Sequence, residues 1–344
     1  MPLRRSFSTL IAAAVAVALT AVTAVTAAVT AAPSAGAHTT GRTAGRTYVA
    51  LGDSYAAGFG LPAPATPTRP AYPGCAQTSL DYPHRLAAKL SLRLTDVSCS
   101  GASTADFSTV QDVPGPKPPA QLDVVKALHP SLVTVTIGGN DLDFTSIAQT
   151  CLAASPAGPL FLHPTFASCR AYFASPAGSA DNPYARLAAV GAKVRAALMA
   201  VHRAAPHAAI LVIAYPAIAP NARNTPPGGC FAANTIATPL LGGAPLTSAF
   251  PFTDADVPFL ALLQRRLDAE IAEATRDSGG SYADIYDASL QHSACSPERT
   301  RWVEPVVPGG GGSNVLHPSL AGTAAMATTL APTATRLLTH DQRN

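Results

Sequence analysis

Gly52-Asp53-Ser54-Tyr55 follows directly on the apolar run Tyr48-Val49-Ala50-Leu51, and Gly58 comes soon after. A serine at the end of a short β-like run, bracketed by glycines, is placed like a nucleophile at a strand-to-helix turn. Gly-Asp-Ser alone is an ordinary turn. Three later segments give it chemical meaning: Ser100-Gly101-Ala102-Ser103, Gly138-Gly139-Asn140-Asp141 and His317-Pro318. A serine hydroxyl attacks a carbonyl only when a base takes its proton, and His317 supplies a base. The negative charge that develops on the carbonyl oxygen needs donors fixed in advance. The backbone N–H groups of Ser54 and Gly101 and the side-chain amide of Asn140 suit that task. Nucleophile, base and oxyanion donors together are what acyl transfer requires.

The elements that must position these residues follow from the hydrophobic pattern. Thr47 to Leu51, Leu94 to Cys99, the β-branched run Leu132 to Ile137, and Ala209 to Ala214 read as strands, with a weaker fifth at Tyr282 to Tyr286. Helical spacing marks Tyr82 to Leu92, capped by Asp81, and Pro119 to Leu128. It also marks a helix opened by Asn182-Pro183 and running to Ala205, then Asp256 to Asp277 and Pro318 to Leu338. Strands alternating with helices imply an α/β fold with a mainly parallel sheet covered on both faces. The first three strands end at Ser54, Gly101 and Gly138-Gly139-Asn140. Open α/β sheets bind ligands at those C-terminal strand ends.

Leu61 to Gly74, with five prolines, is expected to be loop. Pro216 to Phe252 is irregular but apolar, with Phe231, Leu240, Leu241, Phe250 and Phe252. It reads either as packed loop or as the wall of an apolar substrate groove.

Arg4 and Arg5, the uncharged stretch Ile11 to Ala32 and the small-x-small site Ala35-Gly36-Ala37 form a secretory signal, so residues 1–37 are expected to be removed. Residues 38–344 then make one domain, secreted and monomeric, with no stable membrane span. Of 23 basic residues, 21 remain after Arg4 and Arg5 are lost, against 20 acidic ones. There is no basic stripe for a nucleic acid. Six cysteines in an exported chain suggest three disulfides, among 15 possible pairings, with sequential pairing the simplest. No Cys-x-x-Cys occurs, which disfavours a zinc site, and the chemistry needs neither metal nor cofactor.

Gly-Asp-Ser, Gly101, Gly-x-Asn-Asp and His-Pro, in this order, resemble the motifs of the SGNH/GDSL hydrolases. The six cysteines resemble its secreted bacterial lipase and esterase branch. The resemblance implies a three-layer α/β/α flavodoxin-like fold with five central parallel strands. It also implies serine esterase activity carried by Ser54, Gly101, Asn140 and His317. In that branch the disulfides pair sequentially: Cys75–Cys99, Cys151–Cys169 and Cys230–Cys295. The chain departs from the family at Tyr55, where Leu usually fills the fourth motif position, a minor variation, and more importantly at Asn314, where an Asp usually stands three residues before the histidine. A neutral amide cannot stabilise an imidazolium as a carboxylate does. Some members look like Ser–His dyads oriented by a backbone carbonyl, so the Asn314 carbonyl is expected to accept from His317 Nδ1–H. Its side-chain oxygen is the second choice, and Glu304 a conceivable replacement acid.

The expected function is hydrolysis of lipid-like carboxylic esters through an acyl-Ser54 intermediate, with an acyl-glycerol or similar ester as partner. A carbohydrate acetyl esterase would use the same residues. A noncatalytic glycan- or lipid-binding protein would not need them.

Overall fold

Five strands lie parallel in one sheet, in the order β2-β1-β3-β4-β5. They are β1 (Thr47–Gly52), β2 (Arg93–Asp96), β3 (Leu132–Thr136), β4 (Ala209–Ile213) and β5 (Ser281–Ala283). This computed structural model describes residues 43–61, 72–237, 240–241, 244–309 and 313–340. The expected targeting segment and most of the proline-rich loop lie outside them. The described residues belong to one compact unit, 36–344. None of its described helices is long and apolar enough to cross a membrane.

The three central strands, β1, β3 and β4, are buried on both faces, whereas the edge strands β2 and β5 are shorter and partly exposed. Side chains alternate along them. Val49, Leu51, Val133, Val135, Ile210 and Val212 enter one core cluster, while Tyr48, Ala50, Leu132, Leu211 and Ile213 enter another. The first cluster is closed by α3 (Gln121–Leu128), α6 (Leu187–Ala204) and α7 (Asp256–Asp277). The second is closed by α2 (Tyr82–Leu90) and α9 (Leu320–His340). Helices on both faces of the sheet make the three layers of the flavodoxin-like, five-stranded arrangement that the motifs implied.

Several boundaries differ from the sequence reading for local reasons. The β1–β2 pairing continues past β2, through Val97 N–H to Ala50 O and Cys99 N–H to Gly52 O, both 3.0 Å. The fifth strand ends early because the Asp284 side chain accepts from Asp287 N–H at 3.0 Å and starts α8 (Ile285–Ser289). The last helix begins after Ser319, whose Oγ accepts from Gly322 N–H. Asn182 caps a short 3₁₀ turn, Pro183–Arg186, which leads into α6.

Disulfides join Cys75 to Cys99, Cys151 to Cys169 and Cys230 to Cys295. The apolar stretch before α7 carries a short helical turn, Gly229–Ala233, and an antiparallel pair, Leu240–Leu241 with Ala244–Pro245, and its Phe231, Phe250 and Phe252 are buried in the core. These three rings fill the interior and line neither cavity beside Ser54, so they do not form the groove wall expected of them; Ile218 of the same segment does face a recess beside Ser54.

Candidate active site

The turn after β1 places Ser54 as the first residue of α1 (Ser54–Ala57). Asp53 caps this helix, accepting from Tyr55 N–H at 2.9 Å. Gly52, at φ +139°, is required there: a Cβ would sit 2.4 Å from the Thr136 carbonyl oxygen. The Ser54 N–H is one of the orphan donors at a helix start. Among the described residues, neither it nor the Gly101 N–H meets a protein acceptor.

Gly101 follows the Cys99 end of the extended β2 segment. Its φ of +81° turns the chain across the sheet edge, and Cys75–Cys99 fixes the base of that turn. Asn140 lies in the loop between β3 and α4 (Phe144–Thr150), and its Nδ2 donates to the Ala102 carbonyl at 2.8 Å. An amide nitrogen carries two protons, so one is left for a substrate. Asp141 accepts from the Thr104 N–H and hydroxyl at 2.9 and 2.8 Å. These bonds lock the Gly101 and Asn140 segments together, so both donors are positioned before substrate arrives.

His317 Nε2 lies 2.6 Å from Ser54 Oγ. Its Nδ1 lies 2.7 Å from the Val315 carbonyl oxygen, so Nδ1 carries the proton and donates, leaving Nε2 free to accept. This corrects the Asn314 expectation. The Asn314 carbonyl accepts from the backbone N–H of His317 at 2.9 Å, and its side-chain Nδ2 donates to the Pro318 carbonyl at 2.9 Å. The left-handed turn at Leu316, φ +55°, swings the Val315 carbonyl under the ring instead. Glu304 is not the replacement acid: it pairs with Arg301 at 2.5 Å.

The imidazole packs between Tyr55 and Phe59, with ring centroids 4.6 and 5.0 Å away. Burial there pushes its pKa down to about 4, and the bond to Val315 offsets this only in part. Asp53 is pushed up to about 7 by burial, against the opposing bonds from Tyr215 and Tyr55.

Ser54, Gly101, Asn140 and His317 line one groove of about 410 Å³. Its walls are mainly apolar, from Phe59, Phe144, Ala148, Leu152, Val306 and Val315, with Ser100, Thr145 and Gln149 as polar members. A smaller recess of about 60 Å³ opens beside Ser54 toward Leu142, Tyr215 and Ile218. The groove wall is therefore built largely by α4 and its flanks, a region the sequence reading left as irregular. Tyr55 and Tyr215 were also missed as site residues. The Tyr215 hydroxyl donates to Asp53 and accepts from Gly139 N–H, joining the first strand end to the third. Nothing in their spacing signals this. Among the described residues, the cluster able to hold a metal is Asp81 and His84, at the start of α2, with Asp96 at the end of β2. It contains none of the four site residues.

The family model for GDSL-like lipases and acylhydrolases matches residues 50–325. Lipase 2 of Streptomyces coelicolor is 35% identical over 286 residues, covering 81% of this chain and 83% of its own. An esterase of Streptomyces scabiei is 29% identical over 267 residues, or 72% of each chain. The solved extracellular lipase of Streptomyces rimosus shares the fold at a TM-score of 0.59 and 22% identity, covering 84% of this chain and 99% of that one. So does phospholipase A1 of Streptomyces albidoflavus, at 0.56 and 23%, covering 85% and 100%. Fold and matches define a carboxylic ester hydrolase. The chain belongs to the GDSL-like lipase/acylhydrolase family.

Proposed function

We propose that the protein is a secreted serine esterase of the lipase type, working as a monomer through a Ser54–His317 dyad. The carrying observation is the 2.6 Å contact between His317 Nε2 and Ser54 Oγ at the floor of an apolar groove. His317 takes the Ser54 proton as Oγ attacks the ester carbonyl. The tetrahedral oxyanion is held by the N–H groups of Ser54 and Gly101 and by the second proton of Asn140 Nδ2. His317 then protonates the leaving alkoxide, giving acyl-Ser54, and activates water to release the acid. In the imidazolium stage the Val315 carbonyl keeps the ring oriented. It offers a dipole and not a full negative charge.

A groove lined mainly by Phe, Leu, Val and Ala, with few polar side chains such as Thr145 and Gln149, favours an acyl chain over a sugar, which needs many convergent hydrogen-bonding groups. The names of the Streptomyces coelicolor and Streptomyces scabiei relatives agree with this reading. Three disulfides and the N-terminal signal pattern support secretion of a 38–344 domain after loss of residues 1–37. The test is hydrolysis of p-nitrophenyl esters from acetate to palmitate by the oxidised protein. Activity peaking at medium or long chains is expected. A peak at acetate would instead favour an acetyl esterase acting on polysaccharide.

A further inference from the structure

Tyr55, the residue after the nucleophile, is buried, and its hydroxyl donates to the main-chain carbonyl of Leu316. Its ring lies against the His317 imidazole, with centroids 4.6 Å apart, and meets Tyr215 edge-on at 4.8 Å. Leu316 adopts φ +55°, a left-handed conformation that an L side chain keeps only when its surroundings hold it. Its own N–H reaches the Pro305 carbonyl only at 3.4 Å, and its carbonyl is held by the hydroxyl of Tyr55. That turn is what carries the Val315 carbonyl to 2.7 Å from His317 Nδ1. In a triad, a side-chain carboxylate would orient the imidazole and could adjust through its own torsions. Here the orienting oxygen is a main-chain carbonyl of the loop that bears the histidine, so its aim is only as good as the turn.

We propose that Tyr55 is a positioning residue for His317: its hydroxyl holds the Leu316 turn and so fixes the tautomer and direction of the base. One segment, Asp53 to Tyr55, thereby sets both the nucleophile and the loop of its partner, 261 residues away in sequence. The inference rests on the dyad reading above.

The test is Tyr55→Phe, which removes one oxygen and keeps the ring. Tyr48→Phe is the control. Tyr48 is equally buried, with its hydroxyl 2.7 Å from Thr134 Oγ1, but lies in the core and not in the groove. Both variants lose a buried hydrogen bond, so both are expected to melt at a lower temperature. Rates are taken below both melting transitions. Tyr55→Phe is expected to lower kcat by about tenfold with KM within about twofold, the pattern of a lost transition-state geometry. The downfield proton resonance of His317 Nδ1–H should broaden or vanish. Tyr48→Phe should keep both kcat and the resonance. A fall in kcat of less than about fivefold in Tyr55→Phe, an equal fall in Tyr48→Phe, or an unchanged resonance overturns the inference. Full activity in Ser54→Ala would overturn the dyad itself. An inactive Ser54→Ala beside a fully active Tyr55→Phe would remove the positioning role alone.

Discussion

Lowering the pH separates this site from one with an ordinary histidine. The base must be neutral to take the Ser54 proton, so the acid limb of kcat/KM reports the pKa of His317 in the free enzyme. Burial between Tyr55 and Phe59 disfavours the imidazolium, and among the described residues no carboxylate contacts the ring to restore it. With a pKa of about 4, about 90% of the enzyme holds a neutral His317 at pH 5. An unperturbed imidazole, at about 6.5, would leave roughly 3%, a difference of about thirtyfold in rate. The assay is initial-rate hydrolysis of a soluble p-nitrophenyl ester under subsaturating conditions, read by quenching into alkali. The same depressed pKa acts on stability. Between about 6.5 and 4 the unfolded chain takes up a proton that the native site refuses, so stability declines as pH falls through that window. Each acid sample is therefore returned to neutral pH to verify full recovery of activity. An acid limb with its midpoint well below the ordinary histidine value is expected. A midpoint at or above about 6.5, with folding intact, would refute the claim that His317 is a desolvated base without an acidic partner.

Three further outcomes follow from the geometry. Asn314→Ala should keep activity within a few-fold of the parent, since its side chain does not touch the ring. It should cost about 1–2 kcal/mol in a denaturant titration, because the Pro318 carbonyl loses its donor. Leu152→Trp should fill the groove and move the ester preference toward shorter acyl chains, read as a fall in the palmitate-to-butyrate ratio of kcat/KM; an unchanged ratio would place the acyl chain elsewhere. Replacing Cys230 and Cys295 by alanine should destabilise more than replacing either other pair. That bridge spans 65 residues, against 24 and 18, worth roughly 4 kcal/mol compared with about 3 by loop entropy.

Much of the site was legible because the catalytic motifs lie at the ends of strands whose apolar patterns are plain. Thr47 to Leu51 and Leu132 to Ile137 announce themselves, and Ser54 and Asn140 come directly after them. Gly101 stands out because a glycine is needed for its backward turn. The base's partner was not legible. Asn314 and Val315 are neighbours, and the choice between their carbonyls depends on a positive φ at Leu316, a residue type that gives no sign of it. The apolar run ending at Phe250 and Phe252 fits both a packed loop and a groove wall, since composition does not say which way a ring faces. Tyr55 reads only as the fourth residue of the Gly-Asp-Ser motif, and nothing in the sequence singles out Tyr215. Their hydroxyls matter through bonds to Leu316 and Asp53 that only the folded chain brings together.

Covalent labelling tests the central claim most directly. The oxidised protein is treated with a fluorophosphonate, digested, and its peptides weighed. A single adduct on Ser54, absent from Ser54→Ala and strongly slowed in His317→Ala, is expected. An adduct on another residue, or esterase activity surviving in Ser54→Ala, would contradict a Ser54–His317 dyad.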